Sequence, residues 1–81
     1  MQNTFHLVIS SVGETFFDGE VSSATFPGTD GELTILAGHE PIVTTLKRGT
    51  ISTRIPSGEV KKFKNEVGIL ECSQNRAIVL L

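Results

Sequence analysis

The sequence predicts an almost entirely β domain, because three observations agree. β-Branched residues are abundant, with seven valines, seven isoleucines and nine threonines against three alanines among 81 residues, and such residues favour strands over helices. Apolar and polar residues alternate with a period of two in several segments, whereas no window of ten or more residues shows a clean helical period. Turn-forming residues recur at short intervals, which is typical of a sandwich or a barrel.

Nine strands follow from these signals along the chain. In the first strand Phe5, Leu7 and Ile9 share one face. Asp18-Gly19 predicts a turn that ends the second strand. Val21 and Phe26 cannot face the same way in one unbroken strand, so a bulge is expected near residues 22–24. The predicted strands are 4–10, 14–17, 20–26, 32–36, 43–46, 50–55, 60–64, 66–72 and 76–81.

The later strands are supported in the same way. Leu33 and Ile35 share a face, and residues 51, 53 and 55 do so further along. Pro56 and Gly58 predict a hairpin turn, since proline presets φ and glycine accepts a positive φ. Gln74-Asn75 predicts a further turn before the last strand. The final segment NRAIVLL is apolar on both faces, which is typical of a strand covered on both sides or docked onto a partner.

Composition and charge exclude several classes of protein. A net charge of −2 argues against a nucleic-acid partner, because such proteins are usually strongly basic. The residues 61, 62 and 64 are lysines, which we interpret as a solvated strand face. The single cysteine, Cys72, cannot form an internal disulfide and is expected to be a buried thiol. The N-terminus shows no targeting peptide, and no apolar run of about 18 residues predicts a membrane span.

The stretch FPGTDGELTILAGHEPI, residues 26–42, concentrates three glycines, two prolines and one of the two histidines. A phosphate-binding loop is disfavoured, because a strand and not a helix follows the glycines. A metal centre is disfavoured by the lack of clustered ligands around His39. Asp30 and Glu32 are interpreted as a turn opener and a solvated acid rather than a catalytic pair. The remaining hypothesis is a stiff loop that contacts another protein.

The segment FPGTDGELTILAGHEPIVTTLKRGTI, residues 26–51, resembles the signature of the F-type ATP synthase epsilon subunit, which is called delta in mitochondria. The opening TFHLVISSVGETFFDGEVSSATFPG and the closing VGILECSQNRAIVLL are similar to the family's first and last strands, so the resemblance covers nearly the whole chain. Two departures are Ala37 and Arg48, where the family usually has proline. The matching residues are Pro27, Gly28, Gly31, Glu32, Ile35, Leu36, Gly38, His39, Pro41, Thr45, Leu46, Lys47, Gly49 and Ile51.

The resemblance implies a fold for residues 1–81. We expect one all-β domain, a two-sheet β-sandwich of about nine to ten short strands. In the family this sandwich is followed by a pair of helices, whereas the present sequence ends at Leu81. The chain is therefore expected to lack the C-terminal helical hairpin and the inhibitory and ATP-sensing roles that belong to it.

The resemblance also implies a function. We expect a non-catalytic subunit of the rotor stalk that docks on the gamma subunit and the ring of c subunits, and couples proton flow to ATP synthesis. No catalytic residue, cofactor or metal is expected. The implied location is the cytoplasmic side of the inner membrane, peripheral to it. Weak self-association of the isolated chain is also expected, because surface meant for gamma would be exposed.

Five residues receive roles from the family pattern. Glu32 and His39 are expected to contact the c-ring, with Gly31 and Gly38 shaping the loops that present them, and Ser10 is expected to contact gamma. The alternative hypothesis is a free-standing β-sandwich that binds a small ligand or carbohydrate. Its marker would be an aromatic-lined pocket, and the sequence has five phenylalanines but no tryptophan or tyrosine.

Overall fold

The computed structural model describes residues 3–81. These residues form nine strands and no helix. Residues 1 and 2 of the expected domain lie outside the described part. None of residues 3–81 belongs to a helix long and apolar enough to cross a membrane. The strands are β1 (Phe5–Ser11), β2 (Glu14–Val21), β3 (Ser23–Gly28), β4 (Gly31–Leu36), β5 (Ile42–Leu46), β6 (Gly49–Arg54), β7 (Val60–Asn65), β8 (Gly68–Ser73) and β9 (Arg76–Leu80).

Hydrogen bonds connect all nine strands into one curled sheet with the order β2-β1-β9-β8-β5-β3-β6-β7, and β4 pairs with β3. All neighbouring pairs are antiparallel except β1 and β9, which are parallel. The two halves of the sheet meet where Gly28 at the end of β3 pairs with Leu46 at the end of β5. They face each other as the two layers of a β-sandwich, which confirms the expected fold class.

The core lies between these layers and follows the alternation of the sequence. Phe5, Leu7 and Ile9 of β1 are fully buried, and the intervening residues are not. The remaining buried apolar residues come from both layers: Val21, Ala24, Phe26, Ile35, Leu46, Ile51, Leu70, Cys72, Ala77 and Val79. At the open side, the rings of Phe17 and Phe63 meet edge to face at 5.8 Å, so side chains close the gap between β2 and β7.

Two local predictions around residues 18–24 are wrong. Asp18-Gly19 forms no turn, because both residues pair with β1, opposite Val8 and Leu7. Cross-strand pairing here overrides the local turn preference. The bulge expected at residues 22–24 is also absent: the alternation shifts because β2 ends at Val21 and β3 begins at Ser23. The observed irregularity lies in the β1–β2 pair, between Ile9 and Ser10.

The two predicted tight turns near the C-terminal half are confirmed. Gly58 has φ +97, and its N–H donates to the Ile55 carbonyl at 2.8 Å, which closes the β6–β7 hairpin. Gln74 and Asn75 both have positive φ, 48 and 60, as the two-residue turn of a twisted hairpin requires. The three lysines of β7 are exposed, as expected for a solvated strand face.

Candidate functional site

The β3–β4 hairpin presents Glu32 at one end of the sandwich. Thr29 and Asp30 form its two-residue turn, and Gly28 pairs with Gly31. Gly31 has φ +136, a value that favours glycine. A Cβ on Gly28 would lie 2.5 Å from the Gly31 carbonyl oxygen, so glycine is also needed there. Glu32 is exposed, and no cation within residues 3–81 forms an ion pair with it.

This hairpin is hydrogen-bonded to the end of β5 and the residue that follows it. The Thr29 N–H donates to the Thr45 carbonyl at 3.0 Å and the Lys47 N–H donates to the Pro27 carbonyl at 2.9 Å. The hydroxyl oxygens of Thr29 and Thr45 are also 2.8 Å apart. Because backbone and side-chain bonds act together, the turn beside Glu32 is held in one conformation, and little entropy remains to be lost when a partner binds.

The loop that follows β4 lies at the other end of the sandwich and is held by Asn75. Gly38 has φ +79, and its N–H donates to Asn75 Oδ1 at 3.1 Å. Asn75 Nδ2 donates to the Thr4 carbonyl at 2.8 Å, and the Asn75 carbonyl accepts the His6 N–H at 3.2 Å. Asn75 therefore ties three segments together. The sequence marked it only as a turn residue, since its distant partners are not visible there.

The ring of His39 is turned inward. It packs edge to face against Phe5, with ring centroids 5.3 Å apart and an interplanar angle of 87°. Both ring nitrogens are buried, and neither has a hydrogen-bond partner within the described residues. In this conformation a partner can contact the backbone of the loop around His39, but not the ring nitrogens of His39.

The structure separates the residues that were expected to contact the c-ring into two pairs. Gly31 and Glu32 begin β4, whereas Gly38 and His39 follow its end. A strand of this length spans about 17–20 Å, so the two pairs do not form one cluster. Ser10 lies at the Glu32 end, because the pairing runs from Ser10 through Leu80 and Ile69 to Thr45. Thr45 accepts the hydrogen bond from the turn beside Glu32.

A surface that the family pattern did not name lies beside Ser10. We call it the outer apolar face; it comprises Val8, Val43, Ile69, Ile78 and Leu80, which project from β1, β5, β8 and β9 on the side away from the core. Val43 is 70% exposed, Ile69 48% and Leu80 56%. The pairing places Ser10 next to Leu80 and Val8 next to Ile78. The only sequence signal for this face was the two-sided apolar character of residues 75–81.

Charged residues border the outer apolar face at the end opposite Ser10. His6 Nε2 lies 2.6 Å from Asp18 Oδ1, and His6 Nδ1 lies 3.2 Å from Glu20 Oε2. Thr4 donates to the other Glu20 oxygen at 2.8 Å. Arg76 pairs with His6 across the β1–β9 ladder. The outer apolar face thus has a polar rim, as protein interfaces commonly do, and it also contains one exposed charge, Glu71, opposite Val43 and Ile78.

Residues 3–81 show no sign of a metal, ligand or nucleophilic site. No group of three or more potential metal ligands was found there, and that part of the chain has no pocket. Cys72 is buried, and burial, with a smaller contribution from the Glu71 charge, raises the pKa of its thiol from 9.0 to about 11. A thiol with such a pKa is a poor nucleophile near neutral pH, which confirms the expectation of a buried thiol at this position.

Comparisons with known proteins agree on one family. The family model described as ATP synthase, Delta/Epsilon chain, beta-sandwich domain, matches residues 4–81. The chain is 38% identical over 76 residues to an ATP synthase epsilon chain of Chlorobium limicola, covering 94% of this chain and 86% of that protein. It is 34% identical to the epsilon chain of Psychrobacter cryohalolentis and 35% identical to that of Delftia acidovorans, and it spans 56% of the length of each.

Solved structures support the same fold. A chain of the Euglena gracilis mitochondrial ATP synthase aligns with a TM-score of 0.92 at 20% identity, covering 99% of this chain and 51% of that one. A chain of the Tetrahymena thermophila mitochondrial ATP synthase aligns with a TM-score of 0.78, also at 20% identity, covering 98% and 63%. Since the family model spans residues 4–81 and the fold agrees, the chain belongs to the family of ATP synthase delta/epsilon chain β-sandwich domains.

Proposed function

We propose that the chain is a non-catalytic subunit of the central stalk of an F-type ATP synthase and that it docks on the gamma subunit through the outer apolar face. The observation that carries this proposal is the exposure of Val43, Ile69 and Leu80 on one side of the sheet, although the exposed Glu71 lies between Val43 and Ile78 on that side. Its relatives are named ATP synthase epsilon chains, and the Tetrahymena structure is described as a central stalk and c-ring. Ser10 lies at the edge of this face and contacts gamma in the proposal.

The outer apolar face supplies the strength of the proposed contact. Fully burying one aliphatic side chain of this size is worth about 1.5–3 kcal/mol, and less where the side chain is already half-buried. Association also costs several kcal/mol in lost freedom of the partners. A face with several such side chains can exceed that cost, whereas the charged rim around His6 contributes to the orientation of the partner.

The Glu32 end of the sandwich is the proposed contact to the c-ring. Glu32 is exposed next to a turn of fixed conformation, so a basic loop of a partner can approach it closely. An exposed ion pair of this kind is worth about 0.2–1 kcal/mol, which is enough to influence register and association rate but not to hold a complex. This contact rests on Gly31 and Glu32, because Gly38 and His39 lie at the other end of β4. A contact through His39 requires a partner that reaches that end.

In this proposal the chain performs no chemistry. It connects gamma with the c-ring, so that proton flow through the membrane sector drives ATP synthesis by rotation. The subunit is then peripheral to the membrane, on its cytoplasmic side in a bacterial-type complex. The stiffness of the β3–β4 hairpin suits this role, because a mobile contact would absorb rotation instead of transmitting it.

Mixing the chain with purified gamma subunit, followed by size-exclusion chromatography, tests the proposal. Ile69→Asp places a charge in the outer apolar face and is expected to abolish co-elution. The matched control is Val60→Asp, since Val60 is 41% exposed on β7 in the other half of the sheet, and co-elution should persist. The proposal is wrong if the unaltered chain elutes alone, or if both variants bind as well as it does.

A further inference from the structure

We propose that the free edge of β4 pairs with β4 of a second copy of this chain, so that the isolated chain forms a two-fold symmetric dimer. This inference concerns the chain outside any complex and does not depend on the proposed function. Within residues 3–81, β4 is hydrogen-bonded to β3 alone. A strand with a bare edge offers a row of backbone donors and acceptors to another strand.

The hydrogen bonds of β3 show which residues of β4 face the free edge. The Pro27 carbonyl and the Thr29 N–H bond to Lys47 and Thr45, on the side of β3 away from β4. The alternate residues of β3, 24, 26 and 28, therefore face β4, opposite residues 35, 33 and 31. It follows that Glu32, Thr34 and Leu36 direct their N–H and C=O groups away from β3.

These three residues are self-complementary in an antiparallel pair. With the two-fold axis at Thr34, this residue lies opposite itself, and Glu32 lies opposite Leu36 of the second copy. No like charges are then directly opposed, which would be unfavourable. On the inner side, Leu33 lies opposite Ile35 of the second copy, so the apolar core of one sandwich continues into the next. Leu36, which is 59% exposed in the single chain, becomes partly covered.

The other outermost strands carry more features that oppose such pairing than β4 does. β7 has three exposed lysines, and charged edges resist strand addition. β2 has the bulge in its pairing with β1, between Ile9 and Ser10, and exposed acidic residues along its length. β4 contains no lysine, proline or bulge, and Glu32 is its one charged residue. A second copy is therefore expected to pair through β4, with weak affinity in the range of about 10 μM to 1 mM, because the contact is small.

Sedimentation analysis of the whole chain across this concentration range tests the inference. A monomer–dimer equilibrium is expected, with the amides of residues 32, 34 and 36 exchanging more slowly in the dimer. Thr34→Pro removes an outward N–H that β3 does not use, and edge positions tolerate proline. Because two backbone hydrogen bonds of the dimer are lost, its dissociation constant should rise by more than about tenfold.

Thr34→Lys serves as a second variant that does not depend on proline being accepted. It places two like charges opposite each other only in the dimer, and should raise the dissociation constant by about fivefold at low salt. Thr15→Lys, the same change at an exposed threonine of β2, is the control and should have no effect. A chain that stays monomeric throughout contradicts the inference. A dimer whose dissociation constant is unchanged in both Thr34 variants also contradicts it. The same holds for a dimer that is lost in Ile69→Asp, because Ile69 lies on the outer apolar face and not on β4.

Discussion

The absence of a side chain at Gly28 allows β3 and β4 to approach each other closely. A Cβ at this position would lie 2.5 Å from the Gly31 carbonyl oxygen and 2.7 Å from Leu33 Cδ2. The first of these atoms belongs to the backbone, so no side-chain rotation relieves the contact. Turn chemistry predicted a glycine-rich hairpin here, but the close approach depends on the pairing and could be measured only in the structure.

Gly28→Ala is therefore expected to lower the free energy of unfolding by about 1–3 kcal/mol, as other overpacked positions do. Urea denaturation followed by circular dichroism measures the change. Gly19→Ala is the matched control: Gly19 also lies in a strand, and its added Cβ would meet only the Phe17 ring, at 3.6 Å. Equal stability losses in the two variants would contradict the role given to Gly28.

The thiol of Cys72 makes the stability of the fold depend on pH above neutrality. Burial raises its pKa from 9.0 to about 11, so the folded chain holds the thiol proton more tightly than the unfolded chain. The associated stabilisation is complete below pH 9 and is lost as the pH rises through about 11. A change of this size corresponds to about 2–3 kcal/mol.

The free energy of unfolding should therefore fall more steeply between pH 9 and about pH 11 in the unaltered chain than in Cys72→Ala. All other ionisable groups are the same in both proteins, so the difference between the two slopes isolates the thiol. Parallel slopes would show that Cys72 ionises as easily in the folded chain as in the unfolded one.

The orientation of His39 was not predictable from its neighbours in the sequence. Its position in a glycine- and proline-rich loop suggested an exposed contact, yet the ring packs against Phe5. That contact forms because Asn75 bonds Gly38 and the segment before β1 together. Glu32 was easier to interpret, because alternation alone places it on the outer side of β4.

At the scale of single elements, alternation and turn chemistry predicted most strands of the fold. The predictions that failed are those where pairing with a distant strand overrides the local preference. Residues such as Phe5, Leu7 and Ile9 have the burial that a period of two implies. Asp18 and Gly19 stay in β2 only because β1 pairs with them, and no local signal reports this pairing. The outer apolar face has the same origin, since its members come from four strands of which only β8 and β9 are consecutive in the sequence.

Asn75 connects the loop after β4 to the start of β1, and its replacement should loosen both. Asn75→Ala removes the side-chain bonds to Gly38 and Thr4 and also strains a residue whose φ is 60. Lost hydrogen bonds of this kind cost about 1 kcal/mol each, and the left-handed backbone adds about 1–2 kcal/mol for a residue with a Cβ. Asn75→Gly loses the bonds without the strain, so it should be destabilised less.

Amide exchange at Gly38 and thermal melting check this prediction. Both variants should exchange the Gly38 amide faster than the unaltered chain, while Asn75→Ala should melt at the lower temperature. Unchanged exchange at Gly38 in both would show that the loop holds its conformation without Asn75.

At the scale of the whole molecule, the two proposed contacts lie on different surfaces, so they can be changed separately. The outer apolar face belongs to the half of the sheet formed by β1, β5, β8 and β9, whereas Glu32 belongs to β4 in the other half. Glu32 forms no ion pair within residues 3–81. Its replacement should therefore disturb a partner more than the fold.

Glu32→Lys is expected to weaken the coupling of proton flow to ATP synthesis, while the melting temperature of the isolated chain and its binding to gamma stay the same. The physical reason is repulsion between the new lysine and a basic c-ring loop. ATP synthesis and proton pumping in membrane vesicles measure coupling, and Glu40→Lys, at an exposed acid beyond the other end of β4, serves as control. Unchanged coupling in Glu32→Lys would refute the proposed c-ring contact.

The parallel pairing of β1 with β9 joins residues 6–10 to residues 76–80. β1 pairs with β2 along one edge, but its other edge stays unpaired until β9 has been synthesised. Contacts this distant along the chain slow folding. Folding of this domain can therefore be completed only after β9 has been synthesised.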